Sequence, residues 1–257
     1  MNWLNCLRRW RQHSLLRHAR IPQRLWAIIE TDVLAHYSLN PTELLKLREL
    51  ASLFLQEKTI NGAGGLIVDD YIRSVIAAEA CLLILYLGLD YYQGRQEIIV
   101  YPDSFVTSRT AQDDSGVIQQ NHLVLEGEAW SRGPVILSWT DAQPGTQHHK
   151  KGANVILHEF AHKLDMLNGA ANGMPPLHTT VNIQEWTRVF THAFDNLQNR
   201  ILHRHCPSIN PYAAQNPAEF FAVVSEEYFE TPKVLQATHP ELYEQLRLFY
   251  RNRGKDV

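Results

Sequence analysis

At 257 residues with 45% hydrophobic side chains, the chain carries enough apolar material for one sizeable core, at the upper end of what a single domain holds. A formal net charge of -3 excludes an overall basic field that would draw it directly to nucleic acid. Cys6, Cys81 and Cys206 are too few and too scattered for a disulfide framework or a Cys-x-x-Cys site, so a reducing cytoplasm is the expected compartment.

Residues 1–20 carry Arg8, Arg9, Arg11, Arg17 and Arg20 with no acidic residue, and read as a basic tail or a surface helix using Trp3, Leu4, Leu7 and Trp10. From Ile21 the pattern turns helical, with Leu25, Ile28, Ile29 and Val33 on one side. Asn40-Pro41-Thr42-Glu43 predicts a capped start for a second helix, followed by Leu44, Leu47, Leu50, Ala51, Phe54 and Leu55 at helical spacing. The Asn61-Gly-Ala-Gly-Gly65 break is the expected boundary between an N-terminal helical segment (1–65) and a catalytic unit (66–257). Val68 to Leu87 predicts a helix packed on two sides and ended by Gly88. Within it begins the most apolar run, Ile76 to Leu89, which Glu79 interrupts and which is too short to span a bilayer.

Three strand-like runs follow, Glu97 to Tyr101, His122 to Glu126 and Val135 to Trp139, and together they predict a small, mostly antiparallel sheet. Gln143 to Gly152 is a polar loop, on which His148 and His149 are read as solvated. Beyond the next helix, Asn168-Gly169 supplies a stop and Ile183 to His203 predicts an amphipathic helix through Trp186, Val189, Phe190, Ala193, Leu197 and Ile201.

The stretch Asn154 to Asp165 carries the chemistry. On a helix, His158 and His162 lie one turn apart on one side, where both imidazoles can reach one ion. Glu159 points off that axis, toward a water on the metal. Apolar Val155, Ile156, Leu157, Phe160, Ala161 and Leu164 surround them, as in a helix inside a domain. His-Glu-x-x-His is the arrangement of zinc hydrolases, in which zinc acidifies its water and the glutamate takes the proton. A pair of core histidines, with Glu159 bridged to Lys163 on an exposed edge, is the structural alternative.

A catalytic zinc needs a third protein ligand. Asp165 and Asn168 stand where the metzincin pattern requires glycine and histidine, which excludes that class. Gluzincins take a glutamate from a downstream helix, and Pro211 to Phe229 offers Glu219, Glu226 and Glu227, the first two on one face. Spacing leaves Glu219 open between ligand and partner of an Asn216 capping box. Glu226, and Asp165 at the end of the first helix, are outer acceptors or alternative ligands.

His158-Glu-Phe-Ala-His-Lys-Leu-Asp165 with Asn168-Gly169, then Tyr212 followed by Glu219-x-Phe-Ala-Val-x-Ser-Glu226, resembles the Mlc titration factor A family of zinc peptidases. The likeness continues through Glu97-x-Ile-x-Val-Tyr-Pro102 and Gly133-Pro-Val-Ile-Leu-Ser-Trp139 and covers most of the chain. It implies an α+β, zincin-like (gluzincin) domain similar to the catalytic domain of anthrax lethal factor, mainly helical with a small sheet and N-terminal helices. It implies one zinc ion per chain on His158, His162 and Glu219, with Glu159 as general base and Tyr212 beside the metal as electrophilic helper. It also implies aminopeptidase activity on short peptides and binding to the glucose-responsive repressor Mlc. The Gly-x-Met-Glu-Asn strand that holds the substrate amino terminus in many gluzincin aminopeptidases is absent, so Glu126 or Glu128 is the candidate replacement. Val135 to Trp139, with Val135 and Leu137, is the candidate edge strand for an extended peptide.

Overall fold

The computed structural model describes residues 20–92, 94, 97–103, 105–112, 118–125, 127–129, 133–144 and 154–251, the strands between 105 and 129 by their backbone path. The basic stretch before Arg20, His148, His149 and Glu126 lie outside the described residues. Helix α1 (Gln23–Asp32) buries Trp26 and Ile29. Ile28, expected on that side, is 47% exposed. Trp26, Ile29 and Val33 form the stripe instead, because the indole removes more apolar surface from water. Helix α2 (Pro41–Glu57) opens with a complete capping box: Asn40 Oδ1 accepts from the Thr42 and Glu43 N–H groups, and Glu43 Oε2 accepts from the Asn40 N–H at 2.8 Å.

Strand β1 (Thr59–Gly62) occupies the start of the expected break. Helix α3 (Asp70–Leu83), capped by Asp69, is buried on nearly every side and ends before Leu87, with tighter turns carrying the chain to Gly88. Strand β2 (Glu97–Tyr101) then pairs in parallel with β1, from Thr59 opposite Glu97 to Gly62 opposite Val100. Strands β3 (Phe105–Gln112) and β4 (Ile118–Leu125) form a separate antiparallel ribbon. Strands β5 (Gly127–Ala129) and β6 (Val135–Ser138) complete the main sheet, in the order β1-β2-β6-β5.

That sheet departs from the mostly antiparallel expectation. Its first three strands, β1, β2 and β6, are mutually parallel, and only β5 runs antiparallel, against β6. The connections explain it: α3 returns the chain to its starting end between β1 and β2, and β5 does so between β2 and β6, the ribbon going out and back from one end. Nor is β6 the edge. It lies between β2 and β5, and the side chains of Val135 and Leu137 are fully buried, so β5 occupies the edge position assigned to β6 from the sequence.

Helices α4 (Trp139–Ala142), α5 (Val155–Asp165), α6 (Ile183–Leu202), α7 (Pro217–Glu230), α8 (Pro232–Thr238) and α9 (Pro240–Tyr250) follow. One apolar core spans Ile21 to Tyr250 and draws on residues from both sides of Gly65. Phe160 of α5 packs edge-on against Phe54 and Tyr92, with ring centroids 5.7 and 5.1 Å away. Trp186 of α6 stacks on Phe190 at 4.1 Å and meets Phe221 of α7 at 6.2 Å. The end of α5 is tied to the start of α7 by the loop at Gly173. Asp165 Oδ2 and Oδ1 accept from the Gly173 and Met174 N–H groups at 2.7 and 2.8 Å.

Gly173 has a φ of 80°, and a Cβ there would lie 2.5 Å from the Pro217 carbonyl oxygen. A side chain is therefore opposed both by the backbone conformation and by contact with α7. Gly173→Ala is expected to cost about 2 kcal/mol or more in urea unfolding, the sum of strain and displaced backbone. An unchanged midpoint would show that this loop does not hold the two helices.

Candidate metal centre

Helix α5 is set by its cap and its apolar faces. Asn154 Oδ1 accepts from the Leu157 N–H at 3.0 Å, and Ile156, Leu157, Phe160, Ala161 and Leu164 are fully buried. His158 and His162 are left on the face toward α7. On α7, Asn216 Oδ1 accepts from the Glu219 N–H at 3.0 Å, while the Glu219 carboxylate meets the imidazoles. Only half of the expected capping box therefore forms: Asn216 caps the helix, but the Glu219 carboxylate, which a complete box would turn back to the Asn216 N–H, faces the imidazoles instead.

Three donor atoms converge. His158 Nε2 lies 3.0 Å from Glu219 Oε2 and 3.2 Å from His162 Nε2, and the third side of the triangle is 3.4 Å. Ligands at about 2.0–2.1 Å from a tetrahedral zinc are separated by about 3.3 Å, so this triangle has the size zinc needs. Among the described residues, this is the group of histidine, cysteine and carboxylate side chains able to share an ion. Asp165 is not brought to it: its carboxylate is fully buried and engaged by the Gly173 loop. Glu226 Oε1 stands 2.6 Å from His158 Nδ1, an arrangement in which Nδ1–H donates to the carboxylate and Nε2 offers its lone pair. His162 Nδ1 is buried with no hydrogen-bond partner among the described residues.

Carboxylates dominate the electrostatics around the two imidazoles. Burial opposes protonation of His158, but hydrogen bonds to Glu219 and Glu226 outweigh it and raise its pKa well above the ordinary range. Burial likewise works against charge on Glu219, yet the two imidazoles hold its pKa well below the usual carboxylate range. Glu159, 3% exposed, adds a third carboxylate nearby. Neither it nor Lys163 sits on an exposed edge; Lys163 Nζ donates to the Gly133 carbonyl at 3.1 Å.

Tyr212 sits on a 3-10 turn (Pro211–Ala214), its ring centroid 5.9 Å from that of His158. Partial burial and then the carboxylates of Glu219 and Glu159 raise its pKa, so the hydroxyl keeps its proton. Asn210 Oδ1 accepts from the Tyr212 N–H, and the Asn210 N–H donates to Glu227 Oε1 at 3.2 Å. Glu227, read from the sequence as rotated away from the site, therefore supports the turn that carries Tyr212. Glu128 lies on β5 opposite Ile136; its side chain is outside the description. Sequence reasoning did not single out Asn154, Glu79 or Glu230, which surround Glu226 from behind His158; the one local signal was a charge at 79 inside an apolar run.

The chain matches the family described as glucose-regulated metallo-peptidase M90 over residues 7–251. It is 38% identical over 251 residues to the uncharacterized protein slr2042 of Synechocystis, covering 97% of this chain and 89% of that protein. It is 36% identical over 216 residues to Mlc titration factor A of Yersinia pestis and of Yersinia pseudotuberculosis, covering 83% of this chain and 79% of theirs.

Burial raises the Glu227 pKa to about 7, above the range of an unfolded carboxylate. The folded state thus holds this proton more tightly. The associated stability is fully present below about pH 4 and declines as pH rises through 7. Glu227→Gln keeps an acceptor for the Asn210 N–H and removes the buried charge. It is expected to gain stability over the parent from pH 5 to pH 8, by on the order of 2 kcal/mol at the upper end. Urea melts of both proteins across that range check it, and a pH-independent difference would count against it.

Proposed function

This chain belongs to the glucose-regulated metallo-peptidase M90 family, and from that membership we propose that it is a zinc peptidase of zincin-like architecture that removes residues from the amino end of short peptides. Family membership implies a metal, and the observation that carries the zinc reading is the 3.0–3.4 Å triangle of His158, His162 and Glu219. When bound there, zinc acidifies a water and polarises the scissile carbonyl. Glu159, buried beside the triangle, takes the proton of the attacking water and passes it to the leaving amine. Tyr212 keeps its proton and donates it as a hydrogen bond to the oxyanion. Glu226 holds the His158 ring through Nδ1. Strand β5, at the sheet edge, offers backbone groups to an extended substrate, with Glu126 or Glu128 as the partner for its amino terminus.

A second reading concerns a protein partner. Relatives 36% identical to this chain are named Mlc titration factor A, which supports an interaction with the repressor Mlc alongside peptide hydrolysis. The two roles are separable at Glu159, which the binding of a folded partner does not require.

Hydrolysis of amino-acid anilides, compared with that of amino-blocked peptides, tests the first reading. Activity lost to a chelator and restored by zinc supports it, whereas activity indifferent to chelation rejects it. Glu159→Gln is expected to lower kcat by about a thousandfold while the protein retains one zinc per chain and binds Mlc as before. Tyr212→Phe should lower kcat by about a hundredfold with little change in KM, since its hydrogen bond strengthens only as charge develops on the oxygen. A Tyr212→Phe enzyme with full kcat would remove that residue from the mechanism.

A further inference from the structure

Asn154 is 1% exposed and every polar atom it has is engaged. Its carbonyl accepts from the His158 N–H at 2.9 Å, and its Oδ1 accepts from the Leu157 N–H at 3.0 Å. Its own N–H donates to Glu226 Oε2 at 2.9 Å, and Glu226 Oε1 is the atom that meets His158 Nδ1. Its side-chain amide donates to Glu79 Oε1 at 2.9 Å and to Glu230 Oε1 at 3.0 Å. Glu230 is also held by Tyr37 and lies 3.3 Å from His36 Nε2. The helix start explains the first two of these bonds, through the carbonyl and Oδ1, but not those to Glu226, Glu79 and Glu230.

Serine, aspartate and asparagine all cap helices about equally well, so the cap does not select asparagine. The surroundings do. Glu79, Glu226 and Glu230 present three carboxylates, which need donors rather than a further acceptor. Serine is too short to reach Glu79 and Glu230 while capping, and aspartate would add a fourth negative charge. Of these three cap residues, the carboxamide alone accepts at the cap while donating to carboxylates further away.

We infer that Asn154 is a positioning residue for the metal centre: anchored through its amide to Glu79 and Glu230, it fixes with its backbone N–H the carboxylate of Glu226 that orients His158. The inference rests on the reading of His158 as a metal ligand. It assigns a purpose to Glu79 as well, a buried charge on α3 remote in sequence from the donors.

Zinc affinity measured by competition with a chromogenic chelator tests this, alongside the thermal midpoint and circular dichroism of the metal-free protein. Asn154→Ser keeps a cap and loses the amide; it is expected to fold and to bind zinc about 10–100-fold more weakly, the usual effect of removing an outer hydrogen-bond partner. In a Glu226→Gln background the same change should cost less than about twofold, because the partner through which Asn154 acts has already been altered. Unchanged affinity in Asn154→Ser, or equal losses in both backgrounds, would overturn the inference and leave Asn154 a helix cap. If Asn154→Ser does not fold, Glu79→Met takes its place, an unbranched side chain of similar length that removes one anchor of the amide while Glu230 still accepts from it. Glu79→Met should weaken zinc binding severalfold, and parental affinity would overturn the inference. His162→Ala serves as the control. If the parent does not bind zinc, or His162→Ala binds it as tightly as the parent, the metal reading itself falls and the inference with it.

Discussion

The structure depends on two helices lying so that one carboxylate reaches two imidazoles, the first of them 61 residues away in the chain. Donor atoms 3.0–3.4 Å apart leave little tolerance, and a shift of about half an ångström already degrades a preorganised site. Helix α5 meets that demand by burying Ile156, Leu157, Phe160, Ala161 and Leu164 on the faces that carry no donors. Helix α7 does the same with Phe220, Phe221, Val223 and Val224. The Asp165 carboxylate and the close approach of Gly173 to Pro217 then tie the end of one helix to the start of the other. The core thus supplies stiffness, and the polar clamp supplies the relative position.

Charge is the second constraint. Glu79, Glu159, Glu219, Glu226 and Glu230 gather around α5, and the nearby histidines carry positive charge only when protonated. Taking ionised carboxylates out of water without compensation costs several kcal/mol each. A divalent cation held by His158, His162 and Glu219 would offset much of this at a single point, and would couple metal binding to folding in this region. Donors from Asn154 and Tyr37 distribute the remaining load, which is why a buried amide sits where three carboxylates meet.

What the sequence revealed divides along the same lines. Patterns set by near neighbours were legible: the Asn40 capping box, the span of α5 and the breaks at Gly88 and Gly169 all depend on residues a few positions apart. Strand direction was not, because it follows from what the connections do rather than from the strands. Strand β1 was hidden by its own composition; three of its four residues are exposed and two of them belong to a breaker sequence. The choice between ligand and capping box for Glu219 stayed open because both uses need its carboxylate, and only the position of α5, far away in sequence, turns that carboxylate to the imidazoles while Asn216 still caps the helix. Glu79 was visible only as an interruption, since its partner lies 75 residues away. The residues that support the centre come from the turn after α1, from α3 and from α7, and share no local pattern.

Helix α7 shows how one rigid element can coordinate these tasks. Glu219 and Glu226 are seven residues apart, close to two full turns, so both face α5, where one meets the Nε2 atoms and the other the Nδ1 of His158. Glu227 is rotated by about 100° from Glu226, toward the turn of Tyr212, and receives the Asn210 N–H. Tyr212 is 44% exposed while Glu159 is 3% exposed, which suits the proposed roles of a hydroxyl that meets substrate and a base that works away from bulk water. Because all three carboxylates ride on the same helix, sliding α7 by a fraction of a turn would disturb the donor triangle, the His158 tautomer and the Tyr212 turn together. A site built this way is either assembled or lost as a unit, and the packing of α7 against α5 decides which.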